Sequence, residues 1–162
     1  MPIVLLRVDE RLIHGQVVVG WGNALDPDRI VVVDDEVAAN QWEQDLYRLG
    51  VPNRVEAEFT DVDGARRGLP GWRSGSTRTI VLVKDVATLS RLAEDGALAG
   101  SEVNLGGVHH AEGRSKALPY LFLSGEEKGD LRAVAESGVE ISARDLPNSR
   151  PVSLEELLKD GS

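Results

Sequence analysis

The chain lacks cysteine, a long hydrophobic run and an excess of basic residues. Without cysteine it can form no disulfide, no thiolate zinc site and no cysteine nucleophile. Its apolar runs fall short of the ~18 residues that a membrane-spanning helix needs, so no insertion into a membrane is expected. The net charge of -9 disfavours nucleic acids and anionic lipid surfaces as partners, because both are themselves negatively charged.

The remaining composition is that of an ordinary globular protein: 162 residues, 41% of them hydrophobic and 28% charged. We expect one domain over 1–162, in which 148–162 can form a C-terminal appendage. The apolar segment "PIVLL" is too short for a signal peptide and is followed at once by charged residues. We therefore expect a cytoplasmic protein.

Short runs of apolar and β-branched residues alternate with helical patterns through the chain. The predicted strands are 3–8, 29–33, 54–59, 78–83, 101–105, 120–123 and 139–144. The predicted helices are 15–25, 37–50, 60–70, 86–96 and 124–138. This alternation predicts an α/β fold, an open and mostly parallel sheet of about seven strands with helices on both faces. Trp21 and Trp42 fall on apolar helix faces and are expected in the core.

Ligands of such sheets bind beyond the carboxyl ends of the strands. The loops expected on that edge are 8–14, 34–36, 84–86 and 106–119. Two stretches rich in glycine and polar residues, 68–77 and 106–119, are predicted to be irregular loops.

The stretch "VDERLIHGQV" (8–17) places one histidine between the first strand and the first helix. Free backbone N–H groups at a helix N-terminus form a natural anion site. Here they belong to Gly15, Gln16 and Val17, directly after His14. Gly15 also lets a ligand approach the backbone closely. The junction therefore predicts an anion-binding position beside an imidazole.

Charged residues just before His14 add to this prediction. Arg11 can hold phosphate or carboxylate oxygens with two hydrogen bonds. Asp9 or Glu10 can accept the second ring N–H of His14 and so fix its tautomer. A neutral imidazole beside an arginine suits the acceptance of a phosphoryl group. The spacing alone is also typical of a surface ion pair without function, which is the commoner case.

The stretch "RVDERLIHGQV" resembles the signature of the IIB component of the mannose–fructose–sorbose family of bacterial sugar phosphotransferase systems. Two further stretches resemble that family at matching positions, "DRIVVVDDEVAAN" after the first helix and "VNLGGVHHAEGRSK" two-thirds along the chain. The resemblance covers roughly 1–147. Three motifs in the same order make a chance similarity improbable.

The resemblance implies that His14 is phosphorylated on Nδ1 and that Arg11 binds the phosphate. It implies a phosphohistidine on a IIA partner as donor, and a sugar held by membrane IIC and IID subunits as acceptor. No cofactor or metal is expected, because Arg11 and backbone N–H groups can neutralise the phosphate charge. The family fold implies one antiparallel strand, the last, at the sheet edge. A regulatory phosphohistidine protein that transports no sugar is the alternative on the same residues.

Acidic residues at the end of the second strand suggest another alternative. Asp34 and Asp35 together could hold Mg²⁺ in a metal-assisted phosphatase. A magnesium site usually needs further ligands, so a strand end with Asp35 capping the next helix is the simpler interpretation. A modest role for Asp35 in supporting the His14 loop is kept as a prediction.

Three more residues are candidates for supporting roles: Lys84, His109 and Ser124. Lys84 can add positive potential for a phosphorylated partner. His109 can bring an imidazole within reach of His14. A metal site at His109 and its neighbour His110 is disfavoured, because adjacent residues of an extended chain point in opposite directions. Ser124 fits a capping box with Glu127, and its hydroxyl can also face the active edge.

Overall fold

The computed structural model describes residues 2–159, so Met1 and the last three residues of the predicted C-terminal appendage lie outside it. Its strands are β1 (Ile3–Val8), β2 (Arg29–Val33), β3 (Glu56–Thr60), β4 (Thr79–Val83), β5 (Glu102–Leu105), β6 (Arg114–Leu118), β7 (Leu121–Ser124), β8 (Glu140–Ala143) and β9 (Val152–Ser153). The longest apolar runs of the sequence form the central strands, and β4 is buried along its whole length.

The helices begin with a π-helix (Gln16–Trp21) that runs directly into α1 (Gly22–Leu25). The other α-helices are α2 (Asp35–Ala38), α3 (Gln41–Leu49), α4 (Val62–Ser74), α5 (Val86–Leu92), α6 (Gly125–Glu136) and α7 (Leu154–Lys159), and a 3₁₀-helix (Glu94–Gly96) follows α5. Short polar side chains start six of them by accepting a backbone N–H three residues later. These caps are Asp34, Asn40, Asp61, Asp85, Ser124 and Ser153.

Seven strands form one sheet in the order β3-β2-β4-β1-β5-β8-β9. Neighbouring strands run parallel except for β9, which is antiparallel to β8 at the edge. The predicted fold class is confirmed. The antiparallel strand is β9, however, and the predicted last strand 139–144 is the parallel strand β8. The predicted strand 120–123 is β7, which pairs with β6 in a separate hairpin, because a two-residue turn joins the two.

Two predicted loops contain regular structure. Strand β6 lies inside the stretch 106–119, and α4 continues past Pro70 to Ser74 inside the stretch 68–77. Pro70 is exposed, whereas Leu69 before it is buried and Trp72 after it packs against the same core. Burial of these two side chains stabilises a helix that the proline alone would end.

The helices pack on both faces of the sheet. Leu6 and Val8 of β1 join the core beneath α4, α5, α6 and α7, whereas Leu5 faces the core beneath the π-helix and α2. Trp21 is buried in that second core, as predicted. Trp42 is 71% exposed, so its predicted place in the core is wrong. No helix in residues 2–159 is both long and apolar enough to cross a membrane.

This topology makes a crevice at the carboxyl end of β1. The chain leaves β1 for the π-helix on one face, but it leaves the neighbouring strand β4 for α5 on the other face. Parallel sheets open at such a point, where the connections of adjacent strands diverge. The segment that contains His14 begins there.

Candidate functional site

The segment after β1 is held by the ends of both neighbouring strands. Asp9 N–H donates to Val83 O at 2.9 Å, and Glu10 N–H donates to Gly107 O at 2.9 Å. The predicted loops at 8–14 and 106–119 therefore meet at one edge of the sheet.

A tight turn brings His14 back towards Asp9. Leu12 N–H donates to Asp9 O at 2.9 Å, and Leu12 has the left-handed backbone angle φ of 56°. A leucine adopts this conformation at a cost in free energy, which the burial of its side chain offsets. The buried leucine anchors the loop between the acidic residue and the histidine.

The carboxylate of Asp9 is the centre of the site. It is fully buried, and Oδ2 accepts hydrogen bonds from Arg7 Nη2 at 3.1 Å and Nε at 3.3 Å. Oδ1 accepts from the Arg11 backbone N–H at 3.1 Å and from Arg11 Nε at 3.4 Å. The Gly107 N–H, 3.3 Å from Oδ2, completes the set. Five donors fix this side chain in one position.

The imidazole of His14 lies against the same carboxylate. Its Nε2 is 3.1 Å from Asp9 Oδ2, and its side chain is 14% exposed. The ring N–H is not aligned well enough for a full hydrogen bond, so the contact is mainly electrostatic. Among the described residues, Nδ1 has no hydrogen-bond partner. Nδ1 is thus the ring nitrogen left for a reaction partner.

Electrostatics keep Asp9 ionised. Burial by itself would raise the pKa of Asp9, but the contact with His14 and the charges of His14 and Arg7 outweigh it. The net effect holds the pKa of this carboxyl well below its usual range. Burial lowers the pKa of Arg7, which Asp9 opposes, and an arginine remains charged at any ordinary pH.

Arg7 belongs to the site and was missed by the sequence analysis. Its fully buried guanidinium donates to Arg144 O at 2.8 Å and to Asp145 O at 3.2 Å, and it lies 5.3 Å from the ring centre of Trp21. Only glycine fits at position 106, since a side chain there would collide with this guanidinium. The sequence contains one indication of this role: Arg7 lies inside an apolar strand, two residues before Asp9 and therefore on the same face.

Arg11 projects towards solvent beside His14. Its side chain is 41% exposed, and Nη2 donates to Gln16 Oε1 at 2.9 Å. The lack of a side chain at Gly107 leaves room for this arginine, since a Cβ there would be 3.3 Å from Nη2. Asp9 and Gln16 therefore orient a guanidinium that an anion can still reach.

The helix start differs in part from the prediction. The N–H of Val17 donates to His14 O at 3.0 Å, so Val17 is wrong as a free anion-binding group. The helix starts as a tight turn on the histidine carbonyl, which uses this donor internally. The N–H groups of Gly15 and Gln16 have no acceptor among the described residues. Gly15 is exposed and faces open space on its side-chain side.

His109 meets the site through Glu10 rather than through His14. The backbone N–H of His109 donates to Glu10 Oε1 at 3.0 Å, and its ring Nδ1 contacts Oε2 of the same carboxylate. Glu10 is thereby occupied, so Asp9 is the acid that faces His14. His110 packs edge-on against Phe122, with ring centres 5.5 Å apart.

Asp34 and Asp35, the acidic pair after β2, bind backbone N–H groups and an arginine. Asp34 accepts the Val37 N–H at 3.0 Å, so Asp34 and not Asp35 caps the helix. Asp35 accepts from Val62 N–H and from Arg91, each at 2.9 Å, and these contacts lower its pKa. No cluster of metal-binding side chains occurs in the described part of the chain. Asp35 ties α2 to α4 and α5 and has no hydrogen bond or ion pair with the His14 loop in residues 2–159.

Two of the predicted supporting residues serve other contacts. Lys84 lies 3.8 Å from Glu36. Ser124 forms the predicted capping box, in which its hydroxyl accepts the Glu127 N–H at 3.0 Å and Glu127 accepts the Ser124 N–H at 2.8 Å. Neither side chain is hydrogen-bonded to the segment 9–17. The capping role of Ser124 is confirmed.

The His14 site lies at the surface and not in a deep cavity. Cavities of about 360 Å³ and 420 Å³ occur beside Trp21 and beside Ser124, and segment 9–17 lines neither of them. Small-molecule sites are usually concave and enclosed. A partly exposed imidazole and a half-exposed arginine on the same carboxylate suit a group presented by another macromolecule.

Comparison with known proteins matches nearly the whole chain. A family model described as "PTS system sorbose subfamily IIB component" matches residues 3–162, beyond the expected limit at 147. The fructose-specific EIIB component of Bacillus subtilis is 25% identical over 99% of this chain and 98% of its own length. The mannose-specific EIIAB component of Escherichia coli K12 is 28% identical, and the chain spans 49% of its length. The solved structure of manxB from Thermoanaerobacter tengcongensis is 29% identical, with a TM-score of 0.84 over 97% of this chain and 95% of its own.

Proposed function

The chain belongs to the sorbose subfamily of phosphotransferase-system IIB components, and from this premise we propose that it is a cytoplasmic phosphocarrier phosphorylated on His14. The donor is a phosphohistidine on a IIA partner, and the acceptor is a sugar bound by membrane IIC and IID subunits. The whole chain acts as one IIB domain. The contact of Asp9 with Nε2 of His14, which leaves Nδ1 unpaired, is the observation that supports this most.

In the proposed reaction the carboxylate of Asp9 keeps the proton of the neutral imidazole on Nε2. The lone pair on Nδ1 of His14 then attacks phosphorus of the donor phosphohistidine. One N–P bond forms while the other breaks, and the donor imidazole leaves with its electron pair and takes up a proton. Positive charge develops on the His14 ring, and the adjacent buried carboxylate stabilises it.

Arg11 and the start of the helix bind the transferred phosphoryl group in this proposal. The guanidinium is accessible and already oriented by Asp9 and Gln16, so little side-chain freedom is lost when it binds oxygen atoms. The N–H groups of Gly15 and Gln16 add two donors at the positive end of the helix. These groups neutralise the phosphate charge without a metal ion.

The test is direct phosphorylation of the purified protein. It is incubated with phosphoenolpyruvate, the two general phosphotransfer proteins and a mannose-family IIA domain, and the product is mapped by mass spectrometry under alkaline conditions. We expect one acid-labile phosphate on His14. It should be lost in His14→Gln and kept in His110→Gln, the matched control.

Three results of this experiment are informative. Absence of phosphate on His14, with the IIA domain shown to be phosphorylated, would refute the proposal. Phosphate on His14 that membrane vesicles containing IIC and IID then pass to sugar supports transport. Phosphate that those vesicles cannot discharge, although they discharge a cognate IIB protein, supports the regulatory alternative.

A further inference from the structure

Exposed apolar side chains are concentrated on one side of the molecule. Among residues 2–159, the exposed large hydrophobic residues are Val19, Trp42, Leu46 and Leu49. Val19 belongs to the π-helix, and the other three belong to α3. Both elements cover the same face of the sheet, whereas the helices of the opposite face bury their large apolar residues. An exposed tryptophan at 71% and a leucine at 84% mark an interaction site.

The three residues of α3 form one continuous surface, called here the apolar strip: Trp42, Leu46 and Leu49. Their spacing of four and three residues places them on one side of the helix. The opposite side of α3 is the one that packs inward. Tyr47 lies 6.3 Å from Phe59 between ring centres, and Gln44 donates to the Val37 and Ala38 carbonyls at 3.0 and 3.1 Å. The apolar strip is therefore not required for packing of the helix.

The apolar strip ends next to the His14 loop. Gly50 follows Leu49 directly, and a Cβ on Gly50 would lie 3.9 Å from Ile13 Cγ2. Ile13 is the residue before His14. Val19, five residues after His14 on the π-helix, is also exposed. A protein that reaches the His14 imidazole would therefore lie against the apolar strip as well.

We propose that the apolar strip is the docking surface for the phosphorylated IIA donor. This inference rests on the proposed function and names the part of the chain that selects the donor. Tryptophan is the side chain that most often dominates the affinity of an interface. Three side chains are far fewer than the 20–30 residues a side that a stable complex buries, so the contact fits a short-lived complex better than a permanent dimer.

Charge favours a soluble partner over one embedded in anionic lipid. Around the apolar strip, Asp45 lies 3.5 Å from Arg48 and Glu36 lies 3.8 Å from Lys84, so these two carboxylates are paired. The chain as a whole has a net charge of -9 and is repelled by anionic lipid headgroups, which a soluble donor domain does not present.

The test compares the phosphorylation kinetics of the double variant Trp42→Gln/Leu49→Gln with those of Ala133→Gln, which introduces glutamine at an exposed position of α6 on the opposite face. Initial rates are measured against the concentration of a phosphorylated mannose-family IIA domain. We expect KM to rise about tenfold or more in the double variant, with kcat unchanged, because the strip does not touch the reacting groups. The single variant Leu49→Gln, which alters only the most exposed residue, should shift KM in the same direction.

Each other outcome overturns the inference in a distinguishable way. If the wild-type protein is not phosphorylated, the proposed function fails and the inference fails with it. If it is phosphorylated and the double variant has the KM of Ala133→Gln, the function stands and the apolar strip is not the donor surface. A defect confined to transfer into membrane vesicles would assign the strip to the membrane subunits. A wild-type dimer that the double variant converts to a monomer would assign it to a second copy of the chain.

Discussion

Asp9 Oδ2 lies 3.1 Å from His14 Nε2, and the same carboxylate binds the fully buried guanidinium of Arg7. One buried side chain thus has two roles. It compensates a charge that the fold has placed inside the sheet, and its contact with Nε2 leaves Nδ1 of the histidine without a hydrogen-bond partner among the described residues. The stability of the fold and the orientation of the His14 imidazole are therefore coupled through Asp9.

Replacing Asp9 with Asn should lower the free energy of unfolding by about 3–5 kcal/mol, because Arg7 would stay buried without its charge partner. Urea denaturation at neutral pH measures this change. Asp35→Asn is the control, since Asp35 also pairs with an arginine but at an exposed position, and it should cost about 1 kcal/mol or less. Equal effects of the two variants would contradict the role given to the buried pair.

The contribution of Asp9 should also depend on pH. Its pKa is lowered in the folded protein relative to the ordinary value of 3.8, so the unfolded chain binds the proton first as the pH falls. The stabilisation is full above about pH 4 and declines below it. The difference in unfolding free energy between wild type and Asp9→Asn should therefore shrink between about pH 4 and pH 2. A constant difference over that interval would show that Asp9 is not held ionised by its neighbours.

Arg11→Lys should slow phosphorylation about 10- to 100-fold, because lysine keeps the charge but loses the planar pair of donors. The free energy of unfolding should change by less than about 1 kcal/mol, since the ion pair with Asp9 is made by a half-exposed side chain. Initial rates with a phosphorylated IIA domain measure the first effect. Arg132→Lys, an exposed change on α6, should leave the rate unaltered. Full activity of Arg11→Lys would contradict the proposal that the Arg11 guanidinium binds the phosphoryl group.

Two glycines near the site should respond in opposite ways to alanine. Gly106→Ala should destabilise the protein by about 1–3 kcal/mol, because the new methyl group would displace the guanidinium of Arg7. Gly15→Ala places its methyl group in open space at a helical φ of -52°, so stability should stay equal or rise slightly. Thermal unfolding of both variants tests this contrast. Similar losses at the two positions would contradict the packing described around Arg7.

Ser124→Ala tests whether Ser124 has any part in phosphoryl transfer. Loss of the capping hydroxyl should lower the free energy of unfolding by about 1 kcal/mol. The rate of phosphorylation should be that of the wild type, because the hydroxyl is used at the start of α6. Ser124→Thr keeps a capping oxygen and should restore most of the stability. If phosphorylation is slower in the alanine variant but not in the threonine variant, the hydroxyl of Ser124 takes part in phosphoryl transfer.

Local patterns were sufficient to predict the main sheet and the place of His14. Runs such as 30–33 and 80–83 are apolar throughout, which is typical of parallel strands buried on both faces. The edge strand Val152–Ser153 has only two residues, too few for any periodicity. Its pairing with β8 depends on long-range contacts that no local pattern contains.

Trp42 and Arg7 show the limit of reasoning from periodicity. The pattern of α3 predicts a helix with an apolar side, but not that Tyr47 and Gln44 on the other side pack inward. For Arg7, the carbonyl partners at Arg144 and Asp145 lie more than 130 positions away in the sequence. Such partners become neighbours only when β1, β5 and β8 are aligned in the sheet.

The most direct test of the account is the position of the phosphoryl group on the His14 ring. The protein is labelled with ¹⁵N-histidine, phosphorylated by the IIA domain, and examined by NMR spectra that correlate ring nitrogens with ring protons. We predict phosphate on Nδ1, with Nε2 protonated against Asp9. Phosphate on Nε2 of His14, or on another residue, would contradict the assignment of Asp9 as the group that orients the reacting imidazole.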